Sequence, residues 1–304
     1  MKPALLFAAL LFPALASCGK PELKVWSGLW PDRPELSGLF TEAAETYKKL
    51  AVRCLELSRD EEYAEAESGI FILDGQSLPA FLEAGLALDI TAHEGIRAHA
   101  QTRPAYDHAE EQALFLHSGN GVLCYDPELM RRYLGMADPL PVQKQLGDLN
   151  SFIVSAFLIS DRSRGAVAVL PEADQLLPSF RHAAVPSLQK AGLSPEETEK
   201  WFADIAEIFR DRRWEGTSFE DGRPRPAVMF FLPSGSFFRE PCKPAAPWRA
   251  IRGPDPESSG GVWLVLHRDL FSGKKRTVQK YREYLDVFVQ LLEEREADPE
   301  SGGM

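Results

Sequence analysis

Short apolar runs alternate with amphipathic segments over most of this chain. Several runs have the length and the flanking turn residues of buried strands. They cover residues 24–26, 52–57, 70–73, 121–125, 166–170, 227–232 and 262–266. Because helical segments separate these runs, the pattern predicts an α/β fold with a largely parallel sheet and helices on both faces.

Apolar positions at helical spacing predict the helices, the first over residues 35–50. Gly85 and Gly135 suit the left-handed position that ends a helix, which predicts helices over 78–84 and 127–134. Ser194, followed by Pro195 and Glu197, predicts a capped helix start. The run 152–159 fits either a buried strand or a piece of a helix.

The N-terminus has the layout of a secretory signal. Lys2 gives a positive start, residues 4–16 are apolar apart from Pro13, and small residues precede Cys18. The apolar stretch is too short to span a bilayer core of about 30 Å. The sequence Leu15-Ala16-Ser17-Cys18 is similar to the lipobox of bacterial lipoproteins.

That resemblance implies that residues 1–17 are a signal peptide that is removed and that Cys18 carries fatty acyl chains such as palmitate. Two or more acyl chains bind a membrane stably, at about 0.8 kcal/mol per buried CH₂. The mature protein is then exported and anchored on the periplasmic side or the cell surface. The alternative is an ordinary signal peptide with a chance cysteine.

Composition narrows the possible partners. The chain of 304 residues has a formal net charge of −11, which argues against nucleic acid and against charge-driven docking on anionic lipid. A hydrophobic content of 44% supports a folded core. Besides Cys18 there are Cys54, Cys124 and Cys242, which allow at most one disulfide within the chain. We interpret Cys54 and Cys124 as buried free thiols.

An ordered set of motifs resembles the extracellular solute-binding proteins of ABC importers, of the sugar-binding sort. The segments that carry the resemblance are 23–28 (LKVWSG), 70–74 (IFILD), 81–90 (FLEAGLALDI), 121–129 (GVLCYDPEL), 227–229 (AVM) and 259–263 (SGGVW) with Pro254. The resemblance implies a two-lobed type II periplasmic-binding-protein-like fold with a ligand cleft between the lobes. It places lobe 1 at residues 18–115 plus 258–304 and lobe 2 at 116–257.

The same resemblance implies a transport function. The chain would bind a carbohydrate or another small polar solute, deliver it to an ABC transporter permease, use no cofactor and not act as an enzyme. One departure is that the sequence ends soon after the helix predicted near 277–297, where sugar binders of this family continue. Another is the absence of the family's tryptophan near 146–149. The alternative function is a structural or interaction lipoprotein that kept the fold and lost the pocket.

Aromatic side chains near strand ends are the candidate ligand contacts, because sugars present apolar C–H faces to aromatic rings. They are Trp26, Trp30, Trp214, Phe237 and Trp263. For each of them the alternative is a core role. Asp74 ends an apolar strand and could bond ligand hydroxyls, or it could cap the helix that begins near Ser77.

Other candidate chemistry has little support. His93, His99, His108 and His117 lie close together in sequence but lack the spacing of a zinc motif, so we interpret them as solvated loop histidines and predict no metal site. Ser187 and Lys190 match the spacing of penicillin-binding enzymes, but the partner motifs are absent.

Overall fold

The computed structural model describes most of the chain. The described residues are 20–31, 34–57, 67–90, 93–100, 103–105, 111–118, 122–172, 176–212, 214–216, 218–219, 221–232, 244–253 and 260–297. The strands are β1 Glu22–Ser27, β2 Ala51–Glu56, β3 Ile70–Asp74, β4 Leu114–His117, β5 Val122–Tyr125, β6 Met229–Leu232, β7 Arg249–Arg252 and β8 Val262–Leu266. The helices are α1 Pro34–Tyr47, α2 Leu78–Glu83, α3 Glu94–Ala100, α4 Pro127–Leu134, α5 Pro139–Leu146, α6 Leu149–Ser163, α7 Leu176–Lys190, α8 Pro195–Asp211 and α9 Lys275–Ala297.

The strands form two sheets, and the chain visits the first sheet twice. The first sheet has five strands in the order β2-β1-β3-β8-β4, and the second has three in the order β6-β5-β7. The chain therefore leaves the first sheet after β4, builds the second, and returns at β8. This course confirms the α/β class.

The prediction of a largely parallel sheet fits the first sheet, where β1, β2, β3 and β4 run in one direction and β8 is reversed, but is wrong for the second sheet. Strand β1 pairs in parallel with β2 and β3, but β8 runs antiparallel to both β3 and β4. In the second sheet β5 is antiparallel to both of its neighbours. Strand β8 is reversed in the first sheet because it begins beside the end of β3, where Val262 pairs with Asp74, and runs back along that strand.

Each sheet has its own apolar core against helices. Alternate residues of β1, β3 and β8 pack with α1 and α9, where the rings of Phe40 and Phe288 stack with centroids 4.5 Å apart. On the second sheet, residues of β5 and β6 pack with α4, α5, α6 and α8 around Phe152 and Phe209. Helix α1 ends earlier than predicted because Lys48 takes a left-handed φ of 59°.

A third core joins the two sheets. It contains Phe71, Phe115 and Trp263 from the first sheet and Phe230 and Ala250 from the second, all buried. The period of two along each strand explains the arrangement, since neighbouring residues of one strand contribute to different cores. Both sheets therefore share buried apolar surface at their junction.

The prediction of a strand over 166–170 is also wrong. The segment makes one isolated parallel bridge, between Ala168 and Ala227. The amide groups of Val169 and Leu170 both donate to the carbonyl oxygen of Trp214, at 2.7 and 3.1 Å, so they are not used in a ladder. The run 152–159 lies within α6 and is helical.

Two of the four cysteines can be described. Cys124 is buried, Cys54 is half-buried, and both are free thiols, while Cys18 and Cys242 lie outside the described residues. Within the described part of the chain, none of the helices combines the length and the apolar character needed to cross a bilayer.

Candidate functional site

One edge of the first sheet collects the ends of several strands. The parallel strands β1, β2 and β3 finish there, and the register pairs Val262, the first residue of β8, with both Asp74 and His117. The edge at the carboxyl ends of parallel strands is where α/β sheets bind ligands. We call this the carboxyl edge and define it by Ser27, Trp30, Asp74, His117 and Val262.

Trp30 lies at the carboxyl edge just after β1 and is held in place. Its indole nitrogen donates to the carbonyl oxygen of Leu55 at 2.8 Å, and its ring meets Phe40 edge-on with centroids 6.2 Å apart. The side chain is half-buried, so part of it stays accessible. A fixed, partly exposed aromatic ring is a suitable surface for stacking.

Asp74 closes the turn after β3. Its Oδ1 accepts hydrogen bonds from the backbone amides of Gln76 at 3.1 Å and Ser77 at 2.7 Å, directly before α2. These two amides precede α2, whose N-cap residue is Ser77, so Asp74 stabilises the turn before the helix and is not the cap of the helix. The side chain is half-buried and stays at the carboxyl edge.

Trp26 points from β1 towards the face of the sheet opposite to the one that packs against α1 and α9. Its ring stacks on Phe71 with centroids 6.5 Å apart, and its indole nitrogen is buried without a hydrogen-bond partner among the described residues. The ring is half-buried beside Gly69, where an added Cβ would lie 3.2 Å from its Cδ1.

The remaining predicted contacts lie away from an accessible surface or outside the described residues. Trp214 is 1% exposed and packs edge-on against Phe157 and Phe209 in the core of the second sheet. Trp263 is fully buried in the shared core, and its indole nitrogen donates to the carbonyl of Gly260 at 3.1 Å. For both tryptophans the contacts match the core alternative. Phe237 lies outside the described residues.

The return crossing into β8 passes through two glycines with left-handed φ values, 74° at Gly260 and 92° at Gly261. The carbonyl of Gly261 accepts a hydrogen bond from the amide of Gly75 at 3.0 Å. A Cβ on Gly260 would lie 3.4 Å from the Cα of Gly75 and 3.7 Å from the Cβ of Arg252. The crossing thus brings Arg252, at the end of β7, beside the carboxyl edge, a contact that the sequence analysis missed.

Buried polar groups also mark the carboxyl edge. The Ser27 hydroxyl donates to the carbonyl of Ile72 at 2.8 Å and accepts from the amide of Leu29 at 3.0 Å. His117 is 1% exposed at the end of β4, and Ser118 is fully buried behind it. The prediction that His117 is a solvated loop residue is therefore wrong, and the strand assignment of 114–117 was the missing signal.

His93 and His99 are also buried, in contrast to the prediction, and tie α3 to α9. The His93 Nε2 lies 3.1 Å from the carbonyl of Arg282, and the His99 Nδ1 lies 3.1 Å from the Glu293 carboxylate. Burial and the neighbouring Arg103 lower the pKa of His99 to about 3. No group of three metal-ligating side chains occurs among the described residues, and His108 falls outside them.

Comparisons with known proteins give structural neighbours alone. No family model matches the chain, and no curated protein matches it. The GacH receptor of Streptomyces glaucescens, studied with acarbose, is 14% identical over 92% of this chain and 79% of its own, with a TM-score of 0.34. A family 1 extracellular solute-binding protein from Bifidobacterium longum subsp. infantis is 10% identical over 91% and 80%, with a TM-score of 0.34.

A third neighbour is the galacto-N-biose-/lacto-N-biose I-binding protein of the ABC transporter from Bifidobacterium longum. It is 12% identical over 91% of this chain and 77% of its own, with a TM-score of 0.33. Similarity at this level says nothing of what this chain binds. The structural neighbours are extracellular solute-binding proteins of ABC importers, and the α/β fold itself stands on the strand order described above.

Proposed function

We propose that this chain is the lipid-anchored substrate-binding protein of an ABC importer and binds a carbohydrate or another small polar solute between two lobes. The course of the chain carries the proposal, since it leaves the first sheet at β4 and returns at β8 beside the carboxyl edge. In this proposal lobe 1 is residues 18–115 plus 258–304 and lobe 2 is residues 116–257. The protein binds the solute, delivers it to the permease of the importer, and catalyses no reaction.

The ligand would lie at the carboxyl edge, with Trp30 and Asp74 as its first contacts. A sugar offers an apolar C–H face to the indole ring and hydroxyl groups to the carboxylate. Trp26, Trp214, Phe237 and Trp263 stay predictions, and Trp214 and Trp263 are buried in the two cores described above.

The left-handed glycines at the return crossing support closure of the lobes around the solute. A hinge consists of a few residues that absorb a change in φ and ψ, and glycine does so at little steric cost. Gly260 and Gly261 sit between Arg252 of the second sheet and Gly75 of the first.

A thermal-shift screen of the mature chain against sugars and oligosaccharides tests this function. A ligand raises the free energy of unfolding by RT ln(1 + [L]/Kd) and thereby raises the melting temperature, so at least one sugar is expected to give a clear shift. Trp30→Ala is expected to weaken that binding at least tenfold. The matched control is Trp201→Ala, a half-buried tryptophan on α8. No shift with any sugar would contradict the proposal and support a lipoprotein without a pocket.

The lipid anchor has a separate test. Mass spectrometry of the exported protein is expected to find an acylated Cys18 as the first residue, and Cys18→Ser is expected to move the protein out of the membrane fraction. A mature chain that keeps residues 1–17, or one that starts at another position without lipid, would contradict this part of the proposal.

A further inference from the structure

A cavity of about 630 Å³ lies along β4, the edge strand of the first sheet. Its described lining comes from α3, from residues 103–105, 111 and 113–115, and from Pro247 near β7. None of the residues that define the carboxyl edge is among them. The volume falls in the range of small-molecule sites.

Most of the described wall is apolar. It includes Ala100, Pro104, Ala113, Phe115 and Pro247. The backbone of Ala105 connects this wall to β7 of the second sheet. Its amide donates to the carbonyl of Trp248 at 2.8 Å, and its carbonyl accepts from the amide of Ala250 at 3.1 Å. Residues of both sheets therefore form the wall.

Arg103 is a fixed part of this wall and not a free charge. Its guanidinium is 2% exposed, donates through Nε to the His99 Nε2 at 2.6 Å, and donates through Nη1 to the carbonyl of Phe115 at 3.1 Å. Its Nη2 pairs with the Glu296 carboxylate. These partners neutralise the arginine and hold α3 and α9 in place behind the cavity.

Two other charged side chains at the cavity have no such partners within the described part of the chain. Arg97 and Glu111 are exposed and line the same cavity, yet neither side chain forms an ion pair or hydrogen bond with another described residue. A guanidinium binds a carboxylate well, and a carboxylate binds an ammonium group. Opposite charges that share an apolar cavity without pairing fit a ligand that carries both charges.

We propose that this cavity binds a short apolar peptide with free termini. The terminal carboxylate lies against Arg97, the terminal ammonium against Glu111, and the side chains against the apolar wall. This site is separate from the carboxyl edge and does not depend on the proposed sugar binding.

Calorimetric titration of the full mature chain with the tripeptide Ala-Leu-Ala tests the site. The free peptide is expected to bind, while its N-acetyl form and its C-terminal amide each bind at least tenfold more weakly because each loses one charged contact. No heat up to millimolar peptide, or equal binding of all three forms, overturns the proposal.

Variants make the test specific to the cavity. Arg97→Ala and Glu111→Gln are each expected to weaken the free peptide at least tenfold, and Ala100→Trp to abolish its binding by filling the cavity. The matched control is Arg131→Ala, which removes an exposed arginine of α4 far along the chain from the lining. Wild-type affinity in Arg97→Ala overturns the proposal. If Ala100→Trp still gives a thermal shift with a sugar, loss of peptide binding in this variant is separate from sugar binding at the carboxyl edge.

Discussion

Single buried polar side chains hold the connections of this molecule. Asp126 is fully buried, and its Oδ1 accepts from the amides of Glu128 at 2.9 Å and Leu129 at 3.0 Å, which starts α4. Its Oδ2 accepts from the amides of Ala245 at 2.5 Å and Ala246 at 3.3 Å. One carboxylate thus caps a helix and fixes the segment that leads into β7.

Asp126→Ala is expected to lower the free energy of unfolding by about 3 kcal/mol, since it removes a helix cap and leaves buried amides without an acceptor. The matched control is Asp148→Ala, an exposed cap that accepts from the amide of Ser151 at 3.0 Å, with an expected cost of about 1 kcal/mol. Urea unfolding measures both. Equal losses for the two variants would contradict the second role of Asp126.

His99 is expected to make the protein less stable in acid. Its folded pKa of about 3 lies below the ordinary value of 6.5, so between these values the unfolded chain binds a proton that the folded chain excludes. Stability from this group is complete above pH 6.5 and is lost as the pH falls towards 3, by up to about 1.4 kcal/mol per unit.

The measurement is the free energy of unfolding of the wild type and of His99→Gln from pH 7 to pH 4. The wild type is expected to lose stability more steeply, and the difference between the two slopes is the His99 contribution. Parallel curves would show that His99 titrates normally in the folded protein.

The sequence could identify some of these residues and not others. Trp30 stood out because it follows the first strand in a Gly-Leu-Trp-Pro loop, and the structure places it at the carboxyl edge. Arg103 gave no signal, because its partner Glu296 is 193 positions away in the chain and the pair forms through the docking of α9 on α3.

Elements with a strong local signal were predicted well. Helix α4 begins at Pro127 after the Asp126 cap and ends at Gly135, whose φ is 79°. Helix α8 has the predicted capping box between Ser194 and Glu197. Both signals come from residues within or next to the helix, so these helices could be predicted without knowing any contact to a distant part of the chain.

Elements without a clear apolar period were harder to predict from the sequence. Helix α6 buries Phe152 and Ile159 but also exposes Val154, Phe157 and Leu158 on its opposite side. Apolar residues on both sides hide the helical period, which left strand and helix open for this run. The segment 166–170 looked like a strand because burial alone makes a run apolar.

Gly261→Ala is expected to destabilise the return crossing by about 2–3 kcal/mol. The residue has a φ of 92°, which an L side chain rarely adopts, and its Cβ would lie 2.6 Å from a ring carbon of Phe115. Gly273→Ala is the matched control, with no atom within 4 Å of the new Cβ and an expected change below about 0.5 kcal/mol. Thermal unfolding compares them, and equal melting temperatures would contradict the account of the crossing.

At the scale of the whole molecule, the packing of the two sheets against each other could not be predicted from the sequence. The family resemblance implied a second lobe at residues 116–257, and the three strands of the second sheet lie within that range. The shared core depends on which face of each strand meets the other sheet, with Phe71 and Trp263 on one side and Phe230 on the other. A period of two gives the faces of a strand but not their partners.

The shared core also limits how the two sheets can move. Phe71, Phe115 and Trp263 of the first sheet are buried in one cluster with Phe230 and Ala250 of the second. Closure that separated the two sheets at this cluster would lose buried apolar contact, at about 25 cal/mol per Å². We therefore expect closure to pivot at the crossing near Gly260 and to keep the shared core intact.

Closure of two lobes around a sugar can be measured by small-angle X-ray scattering of the mature chain, alone and with the sugar that gives the largest thermal shift. We expect the radius of gyration to fall when the sugar binds, and we expect no fall for Trp30→Ala at the same concentration. A radius that stays the same with saturating sugar, or a panel of sugars that never binds, would contradict the proposed function.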